Sequence, residues 1–185
     1  MQPGTLFLAS TFALLSPGPT SQVRSITGPL DVRAPIGAPS RRTIVLVDKS
    51  EHQLEVRVAD TVVASYTVAI GSGGPGPKGF EGDKITPVGT YTIRGRFMGS
   101  FHRFLGVSYP NAEDRRRFAE RKERGEIPAG RGIGFGIGIH GVGSRELAGV
   151  HKRTDWTHGC IAVDDTEIDA LSAIVPDGTP LVIVD

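Results

Sequence analysis

Apolar and polar positions alternate along TIVLVD (43–48), HQLEVRV (52–58) and TVVASYTVAI (61–70), with Lys49-Ser50 and Ala59-Asp60 as the breaks between them. Period-two runs separated by short polar breaks predict a strand meander. ITPVGTYTIRGRF (85–97) predicts a further strand, with Tyr91, Ile93 and Gly95 on one face and Thr90, Thr92 and Arg94 on the other. FLGVSYP (104–110) is a short extended run stopped by Pro110. In GIGFGIGIH (132–140) glycine alternates with Ile or Phe, which predicts a strand with its large side chains on one face and an open backbone on the other.

Two stretches break the period of two. NAEDRRRFAERKERG (111–125) opens on a capping Asn, carries acids early and bases late, and stops at Gly125, so it predicts a polar surface helix. After CIAV, Asp164 or Asp165 caps a second helix to about Val175, with Ile168, Leu171, Ile174 and Val175 as its apolar face. TPLVIVD (179–185) closes the chain as a buried strand. Residues 71–84, GSGGPGPKGFEGDK, hold too much Gly and Pro for regular structure and form a long loop. The expected class is mainly β with two helices, α+β, and no internal repeat is present.

Ahead of the meander, TLFLASTFALL (5–15) is apolar but too short to span a bilayer. Residues 1–18 therefore predict a signal peptide or weak membrane anchor, residues 19–41 a linker, and residues 42–185 the folded domain. The 185 residues suit one domain with extensions, and 21 Lys+Arg against 20 Asp+Glu give a net charge of +1. That balance gives no reason to expect nucleic-acid binding, and the basic residues of 115–124 are interleaved with acids as on a solvated helix face.

One cysteine, Cys160 in TDWTHGCI (154–161), rules out an intramolecular disulfide scaffold. Three roles remain for it. A lone thiol serves as a small core residue. His140, His158 and Cys160 could supply three ligands to zinc, with His151 or His102 in reserve, although no CxxC or HExxH spacing supports this. As a nucleophile, Cys160 needs a base, and either His140 or His158 qualifies. A thiolate beside an imidazolium has its pKa pulled below the free value. Gly159 would let the backbone turn and present amide N–H groups to an oxyanion.

The order of these blocks resembles a known family. IHG (139–141) followed after a loop by THGCI (157–161) looks like the signature of the YkuD-type L,D-transpeptidases. GPKGFEGDKITPVGTYTI (76–93) is similar to that family's approach to its Thr-Pro-x-Gly-x-Tyr strand, and VSYPNAEDR (107–115) resembles the murein-transpeptidase branch. The resemblance implies a β-sandwich-like catalytic fold, with an inserted segment at about 98–131 that could act as a lid. It also implies Cys160 as nucleophile, His140 as base oriented by a carbonyl near Gly141, and His158 supporting the pocket beside Thr157. The N–H groups of His158, Gly159 and Cys160 would form the oxyanion hole.

The implied donor is a peptidoglycan tetrapeptide stem, attacked at its third residue with loss of D-alanine. The acceptor would be the amine of another stem or a lysine of an outer-membrane lipoprotein, in the periplasm or cell envelope and without cofactor or metal. Ala162 stands where many members carry Arg or Asn. The same family includes hydrolases, carboxypeptidases and lipoprotein-releasing amidases, which share the first half-reaction. A catalytically idle wall-binding module is the alternative of another class. Tyr91, Lys84, Arg153 and Trp156 are candidate substrate contacts, Lys78 reads as an exposed cation, and His102 and His151 read as solvent-facing.

Overall fold

Inward-facing Val45, Val47, Leu54 and Val56 are fully buried, which fixes the register of the first hairpin. The computed structural model describes residues 42–185; the expected signal segment and linker lie outside them. β1 (Thr43–Asp48), β2 (Gln53–Val58) and β3 (Thr61–Thr67) form the antiparallel meander that the alternation predicts. β8 (Pro180–Val184) returns from the chain end to lie parallel to β1, with Leu181 and Ile183 in the core. Each such side chain contributes about 2 kcal/mol by leaving water.

β4 (Gly89–Gly99) pairs with β8 through its first half and with β5 (His102–Val107) through its second. The pairing shifts between Ile93 and Arg96, so Gly95 leaves the Tyr91–Ile93 face on which simple alternation puts it. A bulge of this kind bends a strand and raises its twist. β6 (Gly138–His140) and β7 (Ile161–Ala162) complete an eight-stranded mixed sheet in the order β3-β2-β1-β8-β4-β5-β6-β7. Ala69, just beyond β3, bonds Ala162 in both directions, its N–H to the Ala162 carbonyl at 3.0 Å and the Ala162 N–H to its carbonyl at 2.8 Å. The sheet thus closes on itself around one core.

α1 (Ala112–Glu123) has the expected Asn111 cap: its side chain accepts the Asp114 N–H, and the Asp114 carboxylate accepts the Asn111 N–H. Asp114 is buried and also takes the Tyr91 hydroxyl and the Arg117 guanidinium. α2 (Asp165–Ile174) buries Ile168 and Leu171 together with Val175 just past its end. Ile174 is exposed, because six residues beyond Ile168 carry it to the far side of the helix. No helix among the described residues is long and apolar enough to cross a membrane.

The Gly/Ile stretch departs from expectation. Only Gly138–His140 is strand, and Phe135 is 82% exposed while Ile137 and Ile139 are buried. Gly134 and Gly136 have φ of +84° and +73°, values outside any β conformation, and so turn Phe135 away from the core.

Candidate active site

Parallel pairing of β6 with β7 sets His140 opposite Ala162, so side chains two residues apart on β7 and its lead-in share the His140 face. Cys160, His140, His158, Thr157, Trp156 and Phe101 line one cavity of about 250 Å³. His140 is buried, and its Nδ1 lies 2.6 Å from the Gly141 carbonyl. A carbonyl only accepts, so Nδ1 carries the proton and the neutral ring keeps its Nε2 lone pair. Phe101, at the β4–β5 turn, packs 4.8 Å from the His140 ring, and Trp156 meets it edge-on at 5.9 Å.

Burial against these walls sets the resting protonation state. Burial pushes the Cys160 thiol up, against smaller opposing effects of the Gly138 backbone and the Lys78 charge. Burial likewise pushes His140 below the ordinary histidine range, with the Gly141 carbonyl opposing and the His151 charge adding. Both directions favour a neutral thiol–imidazole pair over the expected thiolate–imidazolium. The Sγ stands 3.6 Å from the Gly136 carbonyl, an acceptor suited to a protonated thiol.

The turn before Cys160 is braced by Thr157. Its hydroxyl donates to the Cys160 carbonyl at 2.7 Å and accepts the Gly159 N–H at 3.1 Å. The Gly159 amide is therefore engaged and cannot join an oxyanion hole in this arrangement. Among the described residues the His158 and Cys160 N–H groups have no acceptor, which leaves two donors rather than the three expected. Gly159 has φ of +123°, and a Cβ there would lie 2.9 Å from the Ile85 carbonyl, so only glycine fits.

A glycine-rich loop lines a second cavity, which shares His158 with the first. Asp83 holds it together: its carboxylate accepts from Lys78 Nζ at 2.6 Å and from the N–H groups of Gly79, Phe80 and Ile85 at 2.6, 3.0 and 2.9 Å. Burial raises the Asp83 pKa, but these bonds outweigh it and hold the carboxyl below the usual range. Lys78 is thus buried and paired, correcting its reading as an exposed cation.

Of the other candidates, Trp156 lines the cavity. Tyr91 does not: it is buried against Tyr109, with its hydroxyl on Asp114, and is a core residue. Lys84 and Arg153 are exposed and stand outside the cavity lining. His151 is buried and bonded to Asp164, and His102 is bonded to Asp169, so neither is a free surface histidine. Ala162 is fully buried, with no space for a charged side chain. Among the described residues no three of His, Cys, Asp or Glu are grouped to hold a metal ion. The sequence gives no signal for Phe101 or Asp83, and it presents His151 as a solvent-facing residue or a reserve metal ligand. Phe101 is one of eight phenylalanines, and only the pairing of β5 with β6 brings it to His140.

A family model for the YkuD L,D-transpeptidase catalytic domain matches residues 42–183. No curated protein matches by sequence. Among solved structures, the chain is similar to the helical cell shape determining protein Pgp2 of Campylobacter jejuni, at 24% identity and a TM-score of 0.58, over 78% of this chain and 48% of that one. It is similar to Bd1075 of Bdellovibrio bacteriovorus at 26% identity and a TM-score of 0.54, with coverage of 78% and 48%. An L,D-transpeptidase of Mycobacterium smegmatis shares the fold at 15% identity and a TM-score of 0.51, over 78% of this chain and 59% of that one. The chain thus spans about half the length of the first two.

Proposed function

Because the chain belongs to the YkuD family of L,D-transpeptidase catalytic domains, we propose that it is a cysteine acyltransferase acting on peptidoglycan tetrapeptide stems in the cell envelope. One observation carries this reading: the Nδ1–H of His140 is committed to the Gly141 carbonyl, while the ring lines the cavity that holds Cys160. That is the arrangement a general base needs beside a nucleophile.

The chemistry begins from the neutral pair. As Sγ attacks the carbonyl of the stem's third residue, His140 Nε2 takes the thiol proton, so charge develops only in the transition state. The oxyanion is met by the N–H groups of His158 and Cys160. The intermediate collapses by breaking the bond to D-alanine, whose amine receives the proton from His140, and a thioester remains. An acceptor amine then attacks the thioester, His140 takes its proton, and the thiol is regenerated. An amine from a second stem gives a cross-link, a lysine of an outer-membrane lipoprotein gives an anchored protein, and water gives a tripeptide.

Intact-mass spectrometry of the protein with a disaccharide-tetrapeptide ending in D-alanine tests this directly. The expected result is an adduct on Cys160 that has lost D-alanine, absent from Cys160→Ala, and resolved to dimer when an amine acceptor is supplied. Resolution to tripeptide alone would identify water as the acceptor. No adduct on the wild-type protein would overturn the acyl-transfer reading in favour of a wall-binding module.

A further inference from the structure

The Nδ1–H of His140 ends on a backbone carbonyl, and a carbonyl orients a base only as well as its own peptide is held. That peptide joins Gly141 to Val142. Its other polar end, the Val142 N–H, donates to Asp165 Oδ1 at 2.8 Å. The same oxygen accepts the Gly143 N–H at 3.0 Å. A carboxylate therefore does stand behind His140, one peptide unit removed. Asp165 Oδ1, the Val142 N–H, the Gly141 carbonyl and the His140 Nδ1–H follow one another in a single chain of hydrogen bonds.

The local sequence explains how the carboxylate gets there. Asp165 opens α2, but Asp164 stands at the N-cap and places its N–H on the Glu167 carboxylate, so the Asp165 side chain is left for the 141–143 turn. Gly141 admits it, since a Cβ there would collide with Oδ1 and crowd the Phe101 carbonyl. Gly143, with φ of +70°, bends the turn so that two successive N–H groups converge on one oxygen. The bonds on either side hold the strand and not this peptide: the Gly141 N–H meets the Arg103 carbonyl at 3.2 Å, and the Val163 N–H meets the His140 carbonyl at 2.9 Å.

We propose that Asp165 is a positioning residue for the acyl transfer, fixing the Gly141–Val142 peptide and polarising its carbonyl so that His140 keeps its orientation and its strength as a base. The inference rests on the reading of His140 and Cys160 as base and nucleophile. A charged acceptor draws the Val142 proton, electron density in the peptide moves toward its oxygen, and the bond from Nδ1–H strengthens. The imidazolium that forms as Nε2 takes the thiol proton is stabilised by the same relay. Asp165 does not line the cavity, so its effect passes through the backbone alone.

Two readouts that need no substrate test the assignment: alkylation of Cys160 by iodoacetamide across pH, and the proton NMR resonance of the His140 Nδ1–H. Thioester formation is scored beside them. Asp165→Asn keeps an acceptor oxygen for the two N–H groups and removes the charge. It should slow alkylation and thioester formation about tenfold, the step between a charged and a neutral acceptor, with KM unchanged. It should also move the acid limb to lower pH and the Nδ1–H resonance upfield. Asp165→Ala, with no acceptor at all, should slow both reactions further. Glu167→Ala loosens the start of α2 without touching the 141–143 turn, and should keep the wild-type rate per folded molecule. The other titratable groups around His140 are the same in all three variants: Cys160 and His158 in the cavity, His151 from the 150–153 turn, and His102, paired with Asp169, beside Gly141. A wild-type rate and resonance in Asp165→Asn, or equal losses in Glu167→Ala, would overturn the proposal. The expected alkylation pattern in a protein that forms no thioester defeats the acyl-transfer reading and leaves the role of Asp165 standing. A thioester that forms at the wild-type rate in Asp165→Asn does the reverse.

Discussion

The β1–β2–β3–β8 side of the molecule and the loops around Cys160 are stabilised by different means. In the strands, Val45, Val47, Leu54, Val56, Leu181 and Ile183 fill a core in which burial of carbon supplies the energy. In the loops, position is set by polar atoms: Asp83 gathers three backbone amides and Lys78, and Thr157 braces the turn before Cys160. Apolar packing is tolerant in direction, whereas hydrogen bonds fix atoms to within tenths of an ångström. The scaffold can therefore change composition and survive. The wall of the site cannot.

Substitutions should separate the two. Cys160→Ala should lower thioester formation by at least about 10⁴-fold, with the melting temperature nearly unchanged, measured by intact mass and calorimetry. Asp83→Ala leaves Lys78 buried without its counter-charge and should cost about 3–5 kcal/mol in denaturant unfolding, together with a loss of thioester formation. Leu54→Ala should cost about 2–5 kcal/mol while the folded fraction keeps its normal rate. An equal effect of both on the rate per folded molecule would erase the distinction drawn here.

The pH profile sharpens it further. Since burial lowers the His140 pKa, the ring stays neutral below the ordinary value of about 6.5, and thioester formation should hold its plateau to that pH and fall only beneath it. A half-maximal rate above that value would mean that burial does not hold His140 below the ordinary histidine range. The same shift makes His140 a small drain on stability in acid. The unfolded chain takes up the proton first as pH drops through its pKa, so stability declines from there. At the small end, Ile174→Ser on the exposed side of α2 should change stability by no more than about 0.5 kcal/mol, in contrast to Leu171→Ala one turn earlier.

How much was legible in the sequence follows the same division. The meander, β8 and both helices can be read from alternation and caps, because burial imposes a period that the residues must obey. Asn111 kept its expected role as a cap, and Asp164 stands at the N-cap of α2 with its N–H on the Glu167 carboxylate. Cys160 and His140 are marked by their motif, and the structure brings both to one cavity. Where alternation failed, at Phe135 and Gly95, the backbone takes conformations that no hydrophobic pattern encodes. Lys78 and His151 look like surface residues by type, and only their partner carboxylates, Asp83 and Asp164, make their burial affordable.

The seam between Ala69 and Ala162 has a kinetic corollary. β7 consists of two residues and leads directly from the nucleophile, and its outer edge is satisfied only by a segment far back in the chain. Contacts that close so long a loop form late, since their entropy cost precedes their reward. The β1–β8 pairing closes a longer loop still, so the strand leading from the thiol is fully paired only after one of the two slow closures of the sheet. Protection of the Ala162 amide from deuterium reports the closing of that seam, because its N–H is held by the Ala69 carbonyl.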